Sequence, residues 1–446
     1  MNVHVMRASV LTNTLLLSAA LVLLSACSKD TNPAVPPAPE GDVISVVERN
    51  PEIAIGLISF TPQKYLYVSV ASGSFKCYSG EGLQPLAEAF SGDILKFTGG
   101  EETIEFTGAG DDSSVELGEK TVSIEPAEAR EGDFIRIGPS KRSLRPYRGR
   151  IRIVLEGKNV LAINEVPVED YLLGVVPAEM NPDWPEEALR AQAVASRTFA
   201  LFNLHCYENR GFNLADDDRS QKYGGVSVET DKTTEAVIDT TNEVVTYEGK
   251  LACVVFHAES GGRTASNLDV WPRSGEIPYL AGIEDKLGML DFSTGGRYKH
   301  WSSSATFEQL REALNRDGET FVGEYLSSIS VLGVSDNGRV QALDLLGEKN
   351  PVVPAITLAH VLNRNLEEDF LPSNYFKMVL EGAGYRFTGS GKGHGVGMSQ
   401  WGAQQRALND QGYEFILTQY FPGCEVTTIP VDGLEVIHNT AIDTIR

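Results

Sequence analysis

Hydrophobic and polar positions alternate over the first part of the chain in the way that short strands require. Six β-rich runs occur between residues 45 and 155, and turns containing Gly, Pro or Asp separate them: IAIGLISF, KYLYVSV, GDILKFTG, TIEFTG, TVSIEP and RIRIVLEG. This pattern predicts a β-rich part over residues 45–155.

From residue 166 the spacing of the apolar residues becomes that of a helix. In VPVEDYLLGVVPAEM (residues 166–180) the apolar residues Val168, Leu172 and Val175 recur at helical intervals. Pro177 has no N–H to donate and disrupts a helical ladder, so we expect Glu179 to lie on a bend.

An alanine-rich helix is predicted to follow. Asp183 is expected to cap it together with Glu186, and Pro185 suits its first turn. Small side chains on several faces let neighbouring elements approach closely, which predicts a central position for this helix: Ala188, Ala191, Ala193, Ala195 and Ala200.

Strands and helices alternate in the later half of the chain. The pattern predicts strands at NEVVTYEG and LACVVFHA, a capped helix from Thr306 to Leu314, a strand pair turning at Asn337-Gly338, and two helices after Met398. A β-rich N-terminal part followed by a helical centre around Glu179 predicts an α+β fold.

The amino terminus has the features of an export signal. The apolar run LLLSAALVLLSAC is too short for a comfortable membrane span and ends in Leu24-Ser25-Ala26-Cys27, which resembles a bacterial lipobox. We therefore expect a signal peptide at residues 1–27, lipid modification of Cys27 and a Pro-rich linker at residues 28–44. An ordinary signal peptide that happens to contain Cys is the alternative.

Composition narrows the classes of partner. Acidic residues outnumber basic ones by 61 to 38, for a formal charge of -23, and this opposes attraction to nucleic acid phosphates. Four cysteines follow Cys27, at positions 77, 206, 253 and 424. They permit three pairings that spacing alone does not separate, and without a CxxC they do not indicate a zinc ribbon or a thiol redox site.

Four short segments could carry chemistry. They are the surroundings of Glu179, ADDDRSQKYGG (residues 215–225), FHAESGGRTAS (256–266) and FTGSGKGHGVGMSQWGAQ (387–404). In the last of them, glycines at alternate positions permit a tight turn of the backbone around His394. A purely structural histidine that forms hydrogen bonds within its own loop is an equally good interpretation. The GK[ST] ending of a phosphate-binding loop is missing.

Two other readings of these segments are weaker. The run Asp216-Asp217-Asp218 suggests calcium, but Gln221 occupies the position at which an EF-hand loop needs glycine. Ser260 lacks the GxSxG context of an activated serine nucleophile.

Taken in order, the motifs resemble one family. EDYLLGVVPAEM, WPEEALRAQAVASRTFAL, DDxRSQxYGG, HAxSGGRT, GxGHGVGMSQWGA and the closing YFPG are similar to the SpoIID/LytB family of cell-wall proteins. The resemblance implies one domain over residues 45–430, with a β-rich part at 45–155, a catalytic part at 156–430 and a tail at 431–446.

This resemblance implies lytic transglycosylase activity on peptidoglycan, between MurNAc and GlcNAc, or stimulation of a cell-wall amidase as in some members. The catalytic glutamate of the family falls on Glu179. Substrate-binding positions fall on Arg197, Gln221, Tyr223, Ser260, Gly261, Gly262 and His394. Some members bind zinc through a histidine followed by two cysteines; His257 matches the histidine, but no cysteine follows before Cys424, so we expect neither metal nor cofactor.

The chemistry of such a reaction needs a single carboxyl group, because the C6 hydroxyl of the sugar is the nucleophile and forms a 1,6-anhydro ring. Burial would keep Glu179 protonated. The alternative for Glu179 is a carboxylate that binds the N–H groups of the next helix. For Arg197 it is a buried ion pair with Glu179 or Asp170, which would hold Glu179 ionised.

Overall fold

The computed structural model describes residues 43–80, 83–109, 114–127, 133–293 and 295–438. The predicted signal peptide, Cys27 and the linker up to residue 42 lie outside them. Strands dominate the first part, as predicted: Val43–Val47 (β1), Glu52–Gly56 (β2), Tyr65–Val70 (β3), Ser74–Ser79 (β4), Gln84–Phe90 (β5), Ile94–Gly99 (β6), Ile104–Thr107 (β7), Ser114–Glu116 (β8), Thr121–Pro126 (β9), Ile135–Gly138 (β10), Arg145–Tyr147 (β11), Arg150–Glu156 (β12) and Asn159–Pro167 (β13).

Helices and short strands alternate in the next part. They are Val168–Glu179 (α1), Glu186–Phe202 (α2), Leu214–Ala215 (β14), Asp231–Asp239 (α3), Glu243–Tyr247 (β15), Lys250–Leu251 (β16), Phe256–His257 (β17), Asn267–Val270 (α4), Lys286–Leu287 (β18) and Leu290–Asp291 (β19). Short 3₁₀ turns occur at Glu208–Arg210, Gly225–Val228 and Pro278–Leu280.

The remaining elements complete the α+β fold that the pattern predicted. They are Trp301–Thr306 (β20), Phe307–Leu314 (α5), Leu326–Val334 (β21), Val340–Gly347 (β22), Val352–Pro354 (β23), Ala355–Asn365 (α6), Phe376–Glu381 (β24), Gly384–Gly389 (β25), Met398–Ser399 (β26), Gln400–Ala407 (α7), Tyr413–Tyr420 (α8), Glu425–Thr428 (β27) and Leu434–His438 (β28).

Two sheets build the β-rich part, with strand orders β11-β10-β3-β6-β7-β8 and β14-β2-β13-β12-β9-β4-β5. Alternate side chains are buried along their strands, as on Ile151 and Ile153 of β12 and on Val68 of β3. These residues belong to the same hydrophobic core as Val175 of α1 and Leu189 of α2. The β-rich part therefore shares its core with the helical part and is not a separate domain.

Helix α2 lies at the centre of the helical part, as its alanines predicted. It contacts α1, α3, α7, α8 and β15, and its Ala188, Ala191, Ala193 and Ala195 are completely buried. Its N-cap, however, is Pro185 and no side chain caps it, so the predicted capping role of Asp183 is wrong. The acidic residues Glu186 and Glu187 lie in its first turn and suit the positive end of the helix dipole.

A second hydrophobic core lies within residues 301–389, which we call the 301–389 lobe. Helices α5 and α6 pack there against the sheets β20-β25-β24 and β21-β22-β23. The predicted capping of α5 is confirmed, since Thr306 and Gln309 form a reciprocal capping box. The predicted turn between β21 and β22 is also present, with Gly338 at φ 81.

The end of the described chain differs from the prediction. Residues 431–446 were expected to form a tail, but Leu434–His438 pairs antiparallel with Val43–Val47, so that Leu434 lies opposite Val47. This pairing also shows that residues 43 and 44, assigned to the linker, belong to a strand. The two ends of the folded region are therefore joined by main-chain hydrogen bonds.

Candidate active site

Glu179 is the last residue of α1. This helix follows β13 directly and buries Val168, Tyr171, Leu172 and Val175. Pro177 lies inside the helix and does not end it, so the predicted bend comes one residue after Glu179, at Met180, whose backbone is extended. Because Glu179 lies in the last turn of a helix with a buried face, its carboxyl group is held half-buried at the edge of the core.

Three segments that are distant in sequence meet at the Glu179 carboxyl group. The main-chain N–H of Lys222 donates to Oε1 at 2.7 Å. The side-chain amide of Gln400 approaches Oε2 at 3.5 Å, a long contact. Oε1 is thus engaged by a strong donor while Oε2 is only weakly engaged, and a proton on the carboxyl group is therefore expected on Oε2.

The environment raises the pKa of Glu179. Burial is the largest cause, since it disfavours the charged carboxylate. The Lys222 N–H and the Lys222 charge act in the opposite direction, as does the Gln400 amide, while the negative charge of Asp218 raises the pKa further. The net direction favours a protonated carboxyl group, which is the state of a general acid.

A chain of amide side chains extends from Glu179 into the core. Gln400 Nε2 donates to Gln192 Oε1 at 3.3 Å, and Gln192 Nε2 donates to Ser196 Oγ at 2.8 Å. Gln221 Nε2 donates to the Ser196 carbonyl at 3.1 Å. Its Oε1 is buried and has no hydrogen-bond partner in the described part of the protein.

Two half-buried tryptophans lie next to these residues in the chain. Trp184 follows Glu179 after the Met180 turn, and Trp401 follows Gln400. Their ring centroids are 6.2 Å apart at an interplanar angle of 75°. The indole N–H of Trp401 donates to the Phe292 carbonyl at 2.7 Å, which fixes that ring. Together they provide aromatic surface of the kind that packs against the apolar face of a sugar.

Sequence comparison agrees with this geometry. An uncharacterized protein of Brachyspira hyodysenteriae (strain ATCC 49526 / WA1) is 30% identical over 282 residues, which cover 63% of this chain and 72% of that protein. The family model for SpoIID, stage II sporulation protein, matches residues 156–247, which contain Glu179, Gln192 and Gln221. The chain belongs to the SpoIID/LytB family.

Two Bacillus subtilis (strain 168) proteins are also similar to this SpoIID/LytB chain. Stage II sporulation protein D is 27% identical over 283 residues, covering 60% of this chain and 76% of that protein. The amidase enhancer is 28% identical over 296 residues, covering 58% of this chain but only 40% of that protein. Membership of the SpoIID/LytB family supports a cell-wall-related role.

The glycine-rich loop of the SpoIID/LytB motif carries His394, which we predicted to bind substrate. Its Nε2–H donates to the Phe256 carbonyl at 2.8 Å, and its Nδ1 accepts from the Val396 N–H at 3.2 Å. Burial lowers the pKa of His394 to about 4, so the ring is neutral. Both ring nitrogens therefore have partners within the protein, and contact of His394 with a substrate stays a prediction.

His257 packs edge-on against His394, with ring centroids 5.6 Å apart. Its Nδ1–H donates to the Val396 carbonyl at 3.0 Å, and burial lowers its pKa well below the ordinary value. The two histidines and Trp271, whose ring centroid is 5.3 Å from that of His394, hold the loop against β17.

The HAxSGGRT segment packs against the glycine loop. Ser260 is buried and donates to Asp285 Oδ2 at 2.6 Å, so its hydroxyl proton is engaged within the protein. Substrate binding by Ser260 stays a prediction. Gly261 and Gly262 have φ of 75 and 102. A Cβ on Gly261 would lie 3.0 Å from the Gly391 N atom, which explains the requirement for glycine there.

Arg197 and Tyr223, which were also predicted to bind substrate, have hydrogen-bond partners within the protein. Arg197 is fully buried and binds both carboxyl oxygens of Glu169, at 2.8 and 2.7 Å, so its partner is neither Glu179 nor Asp170. The hydroxyl of the buried Tyr223 donates to Asn164 Oδ1 at 2.8 Å. Both side chains are buried beneath α1, and contact of either with a substrate stays a prediction.

Several residues of the site were missed in the sequence. Gln192, Lys222, Gln400 and Trp401 all lie within quoted motifs, but polar residues within a motif do not reveal which of them face a neighbouring segment. Arg339 was also missed. It is buried in the 301–389 lobe and donates to the carbonyls of Ser260 and Arg263 at 2.9 and 3.1 Å.

No group of three or more His, Cys, Asp or Glu side chains in the described ranges is arranged to hold a metal ion. Burial raises the pKa of the Cys77 and Cys424 thiols to about 12, so both are unreactive as nucleophiles near neutral pH. The groups that contact the Glu179 carboxyl are the N–H donors of Lys222 and Gln400.

Proposed function

We propose that this protein is a lytic transglycosylase that cleaves peptidoglycan glycan strands between MurNAc and GlcNAc, with Glu179 as general acid and base. The observation that carries the proposal is the half-buried carboxyl group of Glu179, whose pKa is raised and whose Oε2 is only weakly engaged. Family membership supports the same class of substrate.

The reaction begins with protonated Glu179. Its Oε2–H protonates the glycosidic oxygen, the bond from that oxygen to the anomeric carbon breaks, and GlcNAc leaves. The resulting carboxylate accepts a proton from the MurNAc C6 hydroxyl as that oxygen bonds to the anomeric carbon. Glu179 regains its proton, a 1,6-anhydro ring forms, and no water is consumed. One carboxyl group is therefore sufficient.

The hydrogen-bond donors around Glu179 hold its carboxyl group in both the protonated and the ionised state. The Lys222 N–H binds Oε1 whether or not Oε2 carries a proton, so the carboxyl group does not rotate between the two steps. The Gln400 amide is within reach of Oε2 once it is ionised. Trp184 and Trp401 provide the aromatic wall. Arg197, Tyr223, Ser260 and His394 position these groups from the core.

Comparison of three proteins tests the catalytic role. The wild type, Glu179→Gln and Glu186→Gln would digest glycan strands stripped of stem peptides, with 1,6-anhydro products measured by mass spectrometry. Glu186 is a matched control because it is an exposed carboxylate in the first turn of α2. We expect loss of about 100-fold or more in Glu179→Gln alone, the scale of general acid–base catalysis. Equal product release by all three proteins contradicts the proposal.

The proposal includes export and anchoring in the cell envelope through a lipid on Cys27. The apolar run and Leu24-Ser25-Ala26-Cys27 support it. None of the helices in the described ranges is both long and apolar enough to cross a membrane. Labelling cells with a radioactive fatty acid tests this step: incorporation into the wild type and not into Cys27→Ser supports the anchor, and label in both or neither contradicts it.

A second candidate is a non-catalytic glycan-binding protein that stimulates a cell-wall amidase. The similarity to the amidase enhancer of Bacillus subtilis favours it. It predicts that Glu179→Gln sediments with cell-wall sacculi and raises amidase activity as well as the wild type does. Loss of glycan cleavage in Glu179→Gln with retained stimulation would assign both activities to the same chain.

A further inference from the structure

The side chain of Lys222 lies beside the Glu179 carboxyl group, although the proposed mechanism uses only the Lys222 main-chain N–H. That N–H donates to Glu179 Oε1 at 2.7 Å, so the backbone of Lys222 lies directly against the carboxyl group. The Lys222 side chain is exposed, whereas those of its neighbours Gln221 and Tyr223 are buried. The Lys222 ammonium group is therefore a cation at the surface of the candidate active site, where it can meet a ligand.

The loop that carries Lys222 is held in place by hydrogen bonds along its own length. The Ser220 N–H donates to the Asp217 carbonyl at 2.9 Å, and the Tyr223 N–H donates to the Asp216 carbonyl at 3.1 Å. Because these bonds fix the backbone on both sides of Lys222, movement of its ammonium group relative to the catalytic carboxyl group is limited to rotation of the flexible side chain.

The partner of the ammonium group is Asp218. Its Oδ1 lies 3.3 Å from Lys222 Nζ, and the side chains of the lysine and the aspartate are 54% and 84% exposed. Ion pairs that are this exposed contribute little to stability, because water solvates both charges. A carboxylate of a ligand can therefore replace Asp218 at the ammonium group at little cost in free energy.

The Asp218–Lys222 pair occupies the two positions that the motif DDxRSQxYGG leaves open. Gln221 and Tyr223, which the motif specifies, are buried, while the pair lies at the surface. The chemistry that Lys222 adds to the site is therefore a property of this chain and does not follow from membership of the family.

The chemistry of MurNAc places a carboxylate near this lysine. In a strand stripped of its stem peptides, the lactyl ether on C3 of MurNAc ends in a carboxylate, whereas in intact peptidoglycan this group forms an amide with the peptide. C3 is separated from the anomeric carbon by a single ring atom, so the lactyl group lies close to the bond that Glu179 acts on. Because the chain has a formal charge of -23, it repels an anionic ligand in general, and a cation at this point favours recognition of the carboxylate.

We propose that the Lys222 ammonium group binds the lactyl carboxylate of the MurNAc residue whose glycosidic bond Glu179 cleaves, and that this carboxylate takes the place of Asp218. The assignment rests on the proposed function for the identity of the sugar and of the bond. A hydrogen bond between an ammonium group and a carboxylate is stronger than one between neutral groups. It forms with a stripped strand and not with a strand whose lactyl group is an amide, so Lys222 gives the site a preference for stripped strands.

Binding measurements in the Glu179→Gln background separate this role from the effect of Lys222 on the pKa of Glu179, since glutamine does not titrate. The probes are stripped glycan strands and the same strands with their lactyl carboxylates converted to methylamides, and the Kd is measured over times at which no product is detected. We expect Lys222→Met to raise the Kd for stripped strands about fivefold at low ionic strength and to leave the Kd for methylamide strands within about twofold. Lys222→Arg keeps the charge and should bind stripped strands within about twofold of the Glu179→Gln parent.

Lys158→Met is the matched control, because Lys158 also forms an exposed ion pair, with Glu101 at 2.6 Å, but lies in the β-rich part. It should bind both probes as the Glu179→Gln parent does. Lys222→Met changes an exposed side chain and keeps the main-chain N–H that binds residue 179, and thermal unfolding checks that the fold is intact. Unchanged binding of stripped strands by Lys222→Met, or equal losses for both probes, overturns the assignment.

The cleavage assay of Glu179→Gln keeps the two proposals apart. If Glu179→Gln cleaves normally while Lys222→Met weakens binding of stripped strands alone, the catalytic proposal fails and the role of Lys222 stands. If Glu179→Gln is inactive and Lys222→Met binds stripped strands normally, the catalytic proposal stands and the role of Lys222 fails.

Discussion

The Lys222 main-chain N–H donates to Glu179 Oε1 at 2.7 Å, across 43 residues of sequence. A main-chain donor cannot turn away as a side chain can, so this bond restrains the position of Oε1. The same loop brings Asp218, whose charge opposes ionisation of Glu179. One loop therefore both orients the acid and adjusts its pKa, and the predictions below separate these effects.

In Asp218→Asn, the decline of activity that occurs as the pH rises should begin at a lower pH than in the wild type. Cleavage requires protonated Glu179, so activity falls as the pH rises through the pKa of that group in the folded protein. Removal of the negative charge of Asp218 lowers that pKa. We expect a displacement of less than about one pH unit, largest at low ionic strength, in the pH profile of kcat/KM.

Asp217→Asn serves as the control for that experiment, because Asp217 binds the adjacent Arg219 at 2.6 Å and is not among the groups that shift Glu179. An equal displacement in Asp217→Asn and Asp218→Asn would contradict the assignment.

In Gln400→Leu, the decline of kcat/KM at alkaline pH should begin at a higher pH than in the wild type. The Gln400 amide stabilises the ionised carboxylate, so its removal raises the pKa of Glu179 and extends activity to higher pH. The rate at its optimum should fall, since the carboxylate formed after the first step loses a donor. A displacement toward lower pH in this variant would argue against the contact.

Glu179→Gln should stabilise the folded protein at neutral and alkaline pH. A raised pKa means that Glu179 contributes full stability below the ordinary carboxyl pKa and loses it as the pH rises through the pKa of the folded state. Glutamine does not ionise and avoids this loss, which amounts to about 1.4 kcal/mol for each unit of pKa displacement.

Urea unfolding at a series of pH values measures this gain. The difference between Glu179→Gln and the wild type should disappear below about pH 4, where the carboxyl group is protonated in both folded and unfolded chains. Glu235→Gln, an exposed change on α3, should show no such dependence. A Glu179→Gln protein that is less stable at neutral pH would show that ionised Glu179 is favourable.

Arg197→Lys should destabilise the fold and leave the KM of the folded protein unchanged. Lysine keeps the charge but cannot bind both oxygens of Glu169, and the site is fully buried. Breaking a buried ion pair costs about 3–5 kcal/mol. Arg190→Lys is the control on the same helix, since that arginine is partly exposed and its change should cost no more than about 1 kcal/mol. A raised KM with normal stability would support the predicted contact of Arg197 with substrate.

Acid should destabilise the protein through His394. Its pKa is about 4 in the fold, whereas the unfolded chain takes up a proton near the ordinary histidine value of about 6.5. The free energy of unfolding therefore falls as the pH drops from about 6.5 to 4, by roughly 3 kcal/mol from this residue. Unfolding of His394→Asn should depend less on pH in this window, whereas the exposed change His205→Asn should keep the slope of the wild type.

Local pattern was sufficient for much of the fold. Alternation along β12, the Asn337-Gly338 turn and the Thr306–Gln309 capping box depend on dihedral preferences and on contacts within a few residues, so they could be predicted before any tertiary contact was known. The same reasoning failed at Pro177, because burial of α1 against the core outweighs the loss of one helical hydrogen bond.

The ordered motifs were sufficient to indicate the family and to select Glu179 as the carboxyl group to examine. Which polar residues surround that group, and which belong to the core, follows from the folded structure alone. Lys222 and Gln400 reach Glu179 over 43 and 221 residues, while Arg197, only 18 residues from Glu179, turns to Glu169. Partners of a side chain depend on how distant segments pack, and spacing along the chain does not contain that information.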